Sequence, residues 1–307
     1  MNKILVTGAG GLVGSALKEI LPDAAYVTKE QYDLRDMYQV TLMFEEYRPT
    51  HVIHLAAVVG GVKANKESVA DFFTDNILIN TNVLYVARNY NVKKLISLVG
   101  TCAYPAQCPL PYEEKHLHAG EPHETSYGYS YAKRMIDIQS RAYRHQYNSN
   151  FVTLICNNLF GPGDNFDLEN SHVVAAIIRK IFEAKQNNKD IVLWGDGKSL
   201  REFTYSKDLA NILLLVLSSD NEDNLLNVGN SLEISIKDLA KQISEIFDFK
   251  GKIIWDTDKP SGQFRKPSKN DKFTSQYGEN HYSDFRLALE KTCEWFEKNY
   301  PNIRGIK

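Results

Sequence analysis

The sequence predicts an α/β protein in which a doubly wound parallel sheet is followed by a smaller C-terminal α/β part. Three observations support this prediction. Short apolar, β-branched runs alternate with stretches of helical periodicity through the first half of the chain, as in βαβ units. A glycine-rich turn separates the first apolar run from the first helical stretch. The alternation changes after residue 160, where a loop rich in Gly, Asp and Asn begins.

Composition limits the class of protein. The 307 residues suffice for one large domain or two unequal ones. With 36 Lys and Arg against 38 Asp and Glu, the net charge is near zero, so no nucleic-acid or membrane surface is expected. No apolar run approaches the ~18 residues of a membrane span, and the start of the chain has no signal-peptide pattern. The four cysteines lack CxxC or framework spacing, which predicts free thiols and a cytoplasmic location.

The first predicted strand, at 3–7, leads into a candidate dinucleotide site. Gly8 would permit the tight turn, Gly11 the close approach of a pyrophosphate, and Gly14 the close packing of helix on strand. The predicted helix, reaching about Leu21, would then offer free N–H groups to an anion. The predicted cofactor contacts in this turn are Gly8, Gly10, Gly11, Leu12, Val13 and Gly14.

The end of the second predicted strand, at 24–28, indicates which dinucleotide binds. In NAD-preferring sites an acidic residue near this position holds the ribose 2′-hydroxyl. Here Lys29 occupies the position and Glu30 follows. Because a cation suits the 2′-phosphate of NADP, we expect NADPH, with an inward turn of Glu30 as the alternative. Asp33, in the loop beyond, is predicted to touch the adenine end.

The next elements continue the βαβ pattern and lead to one edge of the sheet. We predict helices at 36–47 and 69–90 and strands at 51–55 and 94–99. Ala56 and Ala57 follow the strand at 51–55 and are small enough to let a cofactor approach. The segment containing Thr101 and Cys102 leaves the carboxyl end of the strand at 94–99, where ligands bind in open α/β sheets.

A predicted helix at 127–147 carries a candidate acid–base pair. Tyr129 and Lys133 are four residues apart, so they share one face of the helix. A nearby ammonium lowers the pKa of a phenol from its usual value of about 10. Such a pair can exchange a proton with a carbonyl or an alcohol. The same spacing is common on amphipathic helices, so its meaning depends on the accompanying motifs.

The remaining segments complete the predicted organisation. The loop at 106–125 holds Cys108, His116, His118 and His123, but their spacing matches no common zinc pattern, so no metal site is predicted. A strand at 151–156 leads to Asn157 and Asn158, which are predicted to reach the cofactor. Further helices are predicted near 172–186, 208–218, 236–247 and 283–300, with strands at 191–194 and 252–255. We assign a dinucleotide-binding domain to 1–160, with later segments near 190–220 returning to it, and a mainly substrate-binding domain to 161–307.

Several motifs together resemble a known family. The glycine turn, the Tyr129–Lys133 pair and the run Asn158-Leu-Phe-Gly-Pro resemble the extended short-chain dehydrogenase/reductase family, with its Rossmann-type fold, over essentially the whole chain. The segments 54–65, 163–173 and 194–203 are similar to the GDP-L-fucose synthases within it, which epimerise and reduce GDP-4-keto-6-deoxymannose with NADPH. Related enzymes act on the heptose analogue. The resemblance implies NADPH as cofactor, a GDP-linked 4-keto-6-deoxy sugar as substrate, and a homodimer formed through the helices at 69–90 and 127–147.

The resemblance also implies residue roles. Tyr129 would protonate the C4 oxygen as hydride arrives, while Lys133 would lower the pKa of that phenol and hold the ribose. Cys102 matches the epimerisation base, a thiol whose pKa of ~8.5 is readily depressed near cations. His172 matches the partner acid and a cofactor contact; without the resemblance it would be only a residue at a helix start. The implied substrate contacts are Lys180, Trp194, Arg201 and Arg265, the last within Arg265-Lys266 after Pro260-Ser-Gly.

Two departures from the family pattern leave alternatives open. Gly100 stands where the family has a hydroxyl that orients the substrate carbonyl, so Thr101 is the candidate replacement. Gly10 stands where the family has a cation, which leaves Lys29 as the main argument for NADPH. The alternatives are a reductase without epimerase activity, a nucleotide-sugar 4-epimerase or 4,6-dehydratase with tightly held NAD, and a non-catalytic NADP-binding regulator. The intact Tyr129 and Lys133 argue against the regulator.

Overall fold

The structure, a computed structural model, describes residues 2–220, 223–259 and 263–306, without the side chains of Val62 and Lys63. The first part of the chain contains β1 (Ile4–Thr7), α1 (Leu12–Ile20), β2 (Ala25–Val27), α2 (Met37–Tyr47), β3 (His51–His54), α3 (Val62–Glu67), α4 (Val69–Asn89), β4 (Lys94–Gly100), α5 (Tyr127–Tyr147) and β5 (Phe151–Cys156). The second part contains β6 (Asn158–Phe160), α6 (Val173–Asn187), β7 (Ile191–Trp194), β8 (Leu200–Tyr205), α7 (Ser206–Ser218), β9 (Leu225–Asn227), β10 (Glu233–Ser235), α8 (Ile236–Ile246), β11 (Ile253–Asp256), α9 (Asp271–Tyr277) and α10 (Phe285–Asn299).

A six-stranded parallel sheet forms the larger layer of the molecule. Its strand order is β2-β1-β3-β4-β5-β9, and Gly100 at the end of β4 lies in register with Cys156 at the end of β5. Every residue of β5 is buried, as expected for a strand covered on both faces. Helices α2, α4 and α5 cover one face and helices α1 and α7 the other. The predicted doubly wound parallel sheet is confirmed.

The smaller layer has its own sheets and core. Strands β10, β8 and β6 form one sheet and β11 pairs with β7 in another. Helices α6, α8 and α10 pack around a separate hydrophobic core. The segment at 191–194, which we expected near the large sheet, lies in the two-stranded sheet. The chain returns to the large sheet through α7, which packs on α1, and through β9, which pairs with β5. The division at residue 160 stays a prediction.

Local sequence signals account for several helix ends. Asp36 caps α2 by accepting a hydrogen bond from the Tyr38 amide at 2.8 Å. Asn148 and Asn188 end α5 and α6 in the left-handed conformation, which Asn tolerates better than most residues. Four strands were not predicted, namely β6, β8, β9 and β10. Strands β6, β9 and β10 have three residues each, too few for a periodicity signal, whereas β8 has six residues and its omission is not explained by length. No helix in the described residues is both long and apolar enough to cross a membrane.

Candidate active site

The glycine turn after β1 is built by close backbone contacts. Gly8 has φ +75°, and a Cβ there would lie 2.7 Å from the Ala56 amide nitrogen. A Cβ at Gly14 would lie 2.7 Å from the Gly8 carbonyl oxygen. Both positions therefore exclude a side chain. Gly10 differs, because a Cβ there would meet no atom within 4 Å.

The start of α1 gives this turn the character of an anion site. Gly11 is the N-cap and no side chain caps the helix, so its first N–H groups are free to face a ligand, and the helix dipole favours a negative one there. Ala56 and Ala57 follow the carboxyl end of β3 beside Gly8. A narrow cradle of glycines and small side chains, at a helix start, fits the pyrophosphate of a dinucleotide. Leu12 and Val13 are the first residues of that helix.

The segment after β2 is polar and partly committed to ion pairs. Lys29 is exposed directly beyond the strand. Asp33 pairs with Arg35 at 2.6 Å, and this hydrogen-bonded pairing lowers the pKa of Asp33 to about 2. Arg35 also reaches Asp75 on α4 at 3.2 Å. The carboxylate of Asp33 is thus engaged by Arg35, and its predicted contact with adenine stays a prediction.

The first turn of α5 is fixed against the first turn of α4. A Cβ at Gly128 would lie 2.6 Å from the Val69 carbonyl oxygen, so glycine allows the two helices to meet. The next residue, Tyr129, is half-buried, and its ring packs edge-on against Phe72 with centroids 6.4 Å apart. The ring is therefore held in one place by packing.

Burial dominates the protonation of the acid–base pair. Lys133 is 3% exposed, and burial lowers its pKa to about 8. Burial raises the pKa of Tyr129 well above 10, and the nearby Cys102 and Cys156 add to this shift. The expected lowering of the Tyr129 pKa is therefore wrong, because desolvation of the phenolate outweighs any help from Lys133. At neutral pH the phenol keeps its proton and is a donor.

A buried polar chain joins the glycine turn to α5. The Thr7 hydroxyl and His54 Nδ1 are 2.8 Å apart, and His54 Nε2 is 3.1 Å from Asn80 Oδ1. The Asn80 amide donates to the Ala132 carbonyl, next to Lys133, at 3.4 Å. Burial, followed by the charge of Lys133, lowers the pKa of His54 to about 3. His54 thus stays neutral and connects β1, β3, α4 and α5.

Cys102 lies in a short 3₁₀ turn (Thr101–Ala103) at the end of β4. It helps to line a small cavity together with Thr101, Tyr104, Pro105, Ala106, Tyr112, His123, Thr125, Ser126, Gln263 and Lys266. Burial raises the pKa of the Cys102 thiol, while Lys266, a hydrogen bond with Ser130, and Lys133 act to lower it. The expected net depression of this pKa is therefore wrong, since desolvation is the largest effect.

The hydroxyl that the family has at position 100 is replaced by other hydroxyl groups nearby. A Cβ at Gly100 would lie 3.3 Å from Cys102 Sγ, a tight contact that a small shift of the thiol would relieve. Three aliphatic hydroxyl side chains line the cavity instead, those of Thr101, Thr125 and Ser126. Ser126 Oγ is 3.2 Å from Ser130 Oγ. Thr101 was the predicted replacement, whereas Ser126 was not recognised from the sequence.

His172 is set apart from this cavity. It is exposed and is the N-cap of α6. Asp164, 4% exposed, lies within electrostatic reach of His172 and has one carboxylate oxygen without a hydrogen-bond partner in the described structure. Among the described residues, no hydrogen bond joins His172 to Cys102 or Tyr129. The role of His172 as acid and cofactor contact stays a prediction.

The two asparagines after β5 differ in availability. The Asn157 side chain donates to Glu202 at 3.1 Å and to the Asn230 carbonyl at 2.8 Å, and it accepts from Thr204 at 2.6 Å. Its side-chain amide is thus used within the protein, and the predicted contact of Asn157 with the cofactor stays a prediction. Asn158 is half-buried and donates to the Glu202 carbonyl at 2.9 Å; its role at the cofactor stays a prediction.

The predicted substrate contacts occupy two neighbouring regions. Trp194 is 61% exposed on β7, which excludes the alternative of a packed core tryptophan. Lys180 on α6 donates to the Val192 carbonyl of the same strand at 3.0 Å. Arg201 on β8 donates to the Leu200 carbonyl at 2.7 Å, and in the described residues no carboxylate pairs with it. Burial lowers the pKa of Arg201, as expected for a cation without a counter-ion.

Arg265 and Lys266 face different surroundings. Arg265 forms an ion pair with Glu233 at 2.5 Å, while Lys266 lines the cavity beside Cys102. Two residues later, the backbone and hydroxyl of Ser268 bond to the buried carboxylate of Glu202. Glu202 therefore anchors this segment to β8, which the sequence alone did not indicate. The preceding Pro260-Ser-Gly, which the resemblance placed before Arg265, lies outside the described residues.

The fold and site define a class. A glycine-rich turn at a helix start, joined by buried hydrogen bonds to the helix that carries a Tyr-x-x-x-Lys pair, is the arrangement of a dinucleotide-dependent α/β oxidoreductase. Comparison with known proteins agrees, because the model of the NAD dependent epimerase/dehydratase family matches residues 4–229. The chain belongs to this family and, within it, to the group that contains the GDP-L-fucose synthases.

Three similar proteins support this assignment. A GDP-L-fucose synthase from Dictyostelium discoideum is 39% identical, over 98% of this chain and 97% of that protein. A GDP-L-fucose synthetase from Naegleria fowleri, solved with NADP, is 37% identical with a TM-score of 0.92, covering 99% of this chain and 96% of that one. A GDP-mannoheptose C4 reductase from Campylobacter jejuni, with NADP bound, is 28% identical with a TM-score of 0.87, over 96% and 98%. The resemblance drawn from the sequence motifs is confirmed.

Proposed function

We propose that this chain is an NADPH-dependent enzyme that reduces the C4 ketone of a GDP-4-keto-6-deoxy sugar and also epimerises C3 and C5. The observation that carries the proposal is the position of Tyr129, which is fixed by Phe72 and Gly128 beside the Cys102 cavity. The Dictyostelium relative is a GDP-L-fucose synthase and the Campylobacter neighbour a GDP-mannoheptose C4 reductase with NADP bound. These names support the substrate class and the cofactor.

The reduction step uses the protonated phenol. When bound on the glycine turn, NADPH supplies a hydride to C4 and becomes NADP⁺. Tyr129 donates its proton to the C4 oxygen, so the ketone becomes an alcohol and Tyr129 a phenolate. Lys133, one helical turn further on, stabilises that phenolate and holds the cofactor ribose. Solvent then returns a proton to Tyr129.

The epimerisation step uses the thiol at the end of β4. Cys102, as a thiolate, removes the proton from the carbon next to the ketone, and the C–H electron pair moves to the C4 oxygen as an enolate. A proton returned to the opposite face, from His172, inverts the centre and restores the ketone. Tyr129, Thr101 and Ser126 can donate hydrogen bonds to the enolate oxygen. Carbon acidity next to a carbonyl makes this proton removable near neutral pH.

The exposed Trp194 and Arg201, which has no carboxylate partner in the described residues, bind the nucleotide part of the substrate. A guanidinium suits a pyrophosphate because its fork matches two phosphate oxygens. An exposed indole beside Lys180 and Lys259 offers a stacking surface with positive charge nearby. Both features are expected for a GDP-linked ligand.

The test is direct. Purified protein is incubated with NADPH and either GDP-4-keto-6-deoxymannose or its heptose analogue, and the products are assigned by NMR. We expect reduction at C4 with inverted C3 and C5. Incubation in deuterated water without cofactor separates a reductase that lacks epimerase activity, because only an epimerase exchanges the C3 and C5 protons.

A Tyr129→Phe variant tests the assigned donor. Removing one general acid typically slows a reaction by about 10²–10⁴-fold, while the ring contact with Phe72 is kept. We expect turnover to fall by about 10³-fold and NADPH affinity, measured by fluorescence titration, to change little. Turnover equal to that of the unchanged protein would reject the role of Tyr129. Tightly held NAD with no net NADPH consumption would favour the 4-epimerase or dehydratase alternative.

A homodimer in a reducing cytoplasm completes the proposal. Helices α4 and α5 pack side by side and leave large apolar side chains exposed, namely Phe73, Leu78, Tyr85, Tyr127, Ile138 and Tyr147. Such a surface is suited to a second copy of the chain. The four cysteines are free thiols, which suits a reducing compartment. Light scattering measures the assembly, and a monomer mass at micromolar concentration would contradict it.

A further inference from the structure

Lys266 is the inward-facing cation of the segment 265–269. Its two charged neighbours are both paired, Arg265 with Glu233 at 2.5 Å and Lys269 with Asp271 at 2.8 Å. Lys266 has no carboxylate partner and no hydrogen bond among the described residues. It is half-buried and lines the same small cavity as Cys102. An ammonium without a partner in a partly closed cavity indicates that a negative charge is formed or bound there.

The cavity offers one group that can carry that charge within the protein. Removing a thiol from water disfavours its thiolate, and removing an ammonium from water disfavours its charged form. Burial acts in these directions on both groups, raising the pKa of Cys102 and lowering that of Lys266. When the two charges form together they stabilise each other, because Coulomb attraction is strong where water is excluded.

We propose that Lys266 is a positioning residue that stabilises the thiolate of Cys102 and so makes this sulfur the base of the epimerisation. This inference rests on the proposed function and deepens it. The thiol proton leaves to solvent, Lys266 keeps its own proton, and the thiolate then accepts the substrate proton. Lys266 therefore favours the charged state of Cys102 without exchanging a proton with the sugar.

Other groups near the sulfur do not replace this cation. The titratable side chains that face Cys102, on the loops, on α5 and on β5, are Tyr112, His123, Tyr129, Lys133, Cys156 and Lys266. Of the cations, Lys266 acts more strongly on Cys102 than Lys133 does. Lys133 is also required by the phenolate of Tyr129 during reduction. Each lysine thus stabilises the charged form of a different proton-transfer group, Lys133 that of Tyr129 and Lys266 that of Cys102.

The first test measures the sulfur without substrate. Iodoacetamide alkylates thiolates, so the rate at which the Cys102 peptide is modified, followed by mass spectrometry across pH, reports the pKa of Cys102. Loss of a nearby opposite charge raises such a pKa by about one unit or more. We expect Lys266→Met to slow modification at pH 8 by about tenfold and Lys266→Arg to restore most of the rate. Half-buried Cys108 is the internal reference in every sample.

Lys269→Met is the matched control, because Lys269 is in the same segment but paired with Asp271 on the surface. Its Cys102 profile should equal that of the unchanged protein. If Lys266→Met misfolds by circular dichroism, Lys266→Gln takes its place. A Cys102 profile unaffected by Lys266→Met, with a raised KM for the GDP-sugar, would make Lys266 a phosphate ligand and overturn the proposal.

The second test separates the two reactions. In deuterated water, Lys266→Met should slow exchange of the C3 and C5 protons about tenfold, while reduction of substrate that is already epimerised changes less than about threefold. Equal loss of both reactions would overturn the proposal. If the unchanged protein shows no exchange at all but the alkylation shift is present, the epimerase part of the proposed function fails and the electrostatic link between Lys266 and Cys102 stands.

Discussion

The glycine turn and the Cys102 cavity depend on different physical interactions. The turn depends on backbone shape, since Gly8 and Gly14 leave no space for a Cβ and no charged side chain is required. The cavity depends on charge and burial, since Cys102, Lys266 and Lys133 all have pKa values shifted by removal from water. A steric site tolerates no added atom, whereas an electrostatic site changes with every charge nearby.

The two regions also differ in how the sequence specifies them. The turn comes from seven consecutive residues, and Ala56 after β3 is the distant residue that closes on Gly8, so most of its geometry is a local property. The cavity is lined by segments near 101–106, 112, 123–126 and 263–266, which meet only when the large and small layers pack together. Three substitutions, given from the largest expected effect to the smallest, distinguish a region that depends on backbone shape from one that depends on charge and burial.

Gly8→Ala should abolish the turn. The new Cβ would lie 2.7 Å from the Ala56 nitrogen at a φ of +75°, which is strained for a side chain and blocked by backbone that cannot move freely. We expect NADPH affinity, measured by fluorescence titration, to fall by at least about 100-fold, which corresponds to about 2.7 kcal/mol.

The companion variant is Gly10→Ala in the same turn. Its Cβ would meet no atom within 4 Å, so its free energy of unfolding in urea should stay within about 1 kcal/mol of the unchanged value. Equal destabilisation of both variants would show that the turn does not act by steric exclusion.

Arg201→Met should weaken binding of the GDP-sugar. Arg201 has no carboxylate partner in the described structure, and hydrogen bonds to charged groups contribute roughly 1.5–3 kcal/mol. KM should therefore rise by about 10–100-fold with a smaller change in kcat. Arg265→Met should have a weaker effect, since Arg265 is already paired with Glu233. An effect of Arg265→Met as large as that of Arg201→Met would reverse this assignment.

His54→Gln tests the buried chain that connects both regions. The pKa of His54 is about 3 in the folded protein, below its ordinary value of about 6.5. The unfolded chain thus binds more protons between pH 6.5 and pH 3, so the unchanged protein loses stability as pH falls through this window. The penalty is fully present below pH 3 and is on the order of 5 kcal/mol.

The glutamine variant lacks this titration but weakens the bonds to Thr7 and Asn80. We expect it to be about 1–2 kcal/mol less stable at pH 7 and to approach or exceed the unchanged protein at low pH. Urea unfolding of both proteins at several pH values gives the difference directly. Parallel stability curves from pH 7 to pH 4 would show that His54 is not held neutral by burial.

The sequence alone determined five of the six strands of the central sheet, the glycine turn and the helix at 127–147. Apolar runs, glycine spacing and helical periodicity are properties of adjacent residues, so they are readable before folding. The same holds for the pairing of Tyr129 with Lys133, because four residues make one helical turn. The motifs also carried the family resemblance, which the comparisons confirmed.

Only the tertiary structure decided the protonation of the site and the partners of its polar groups. The pKa values of Tyr129 and Cys102 are raised because folding removes water from both groups, and the extent of this desolvation cannot be read from residue spacing in the sequence. Asn157 is satisfied by Glu202, Thr204 and Asn230, and Arg265 by Glu233, all distant in sequence. Lys266 reaches Cys102 across more than 160 residues of chain for the same reason: burial and charge pairing are properties of the packed layers rather than of any one segment.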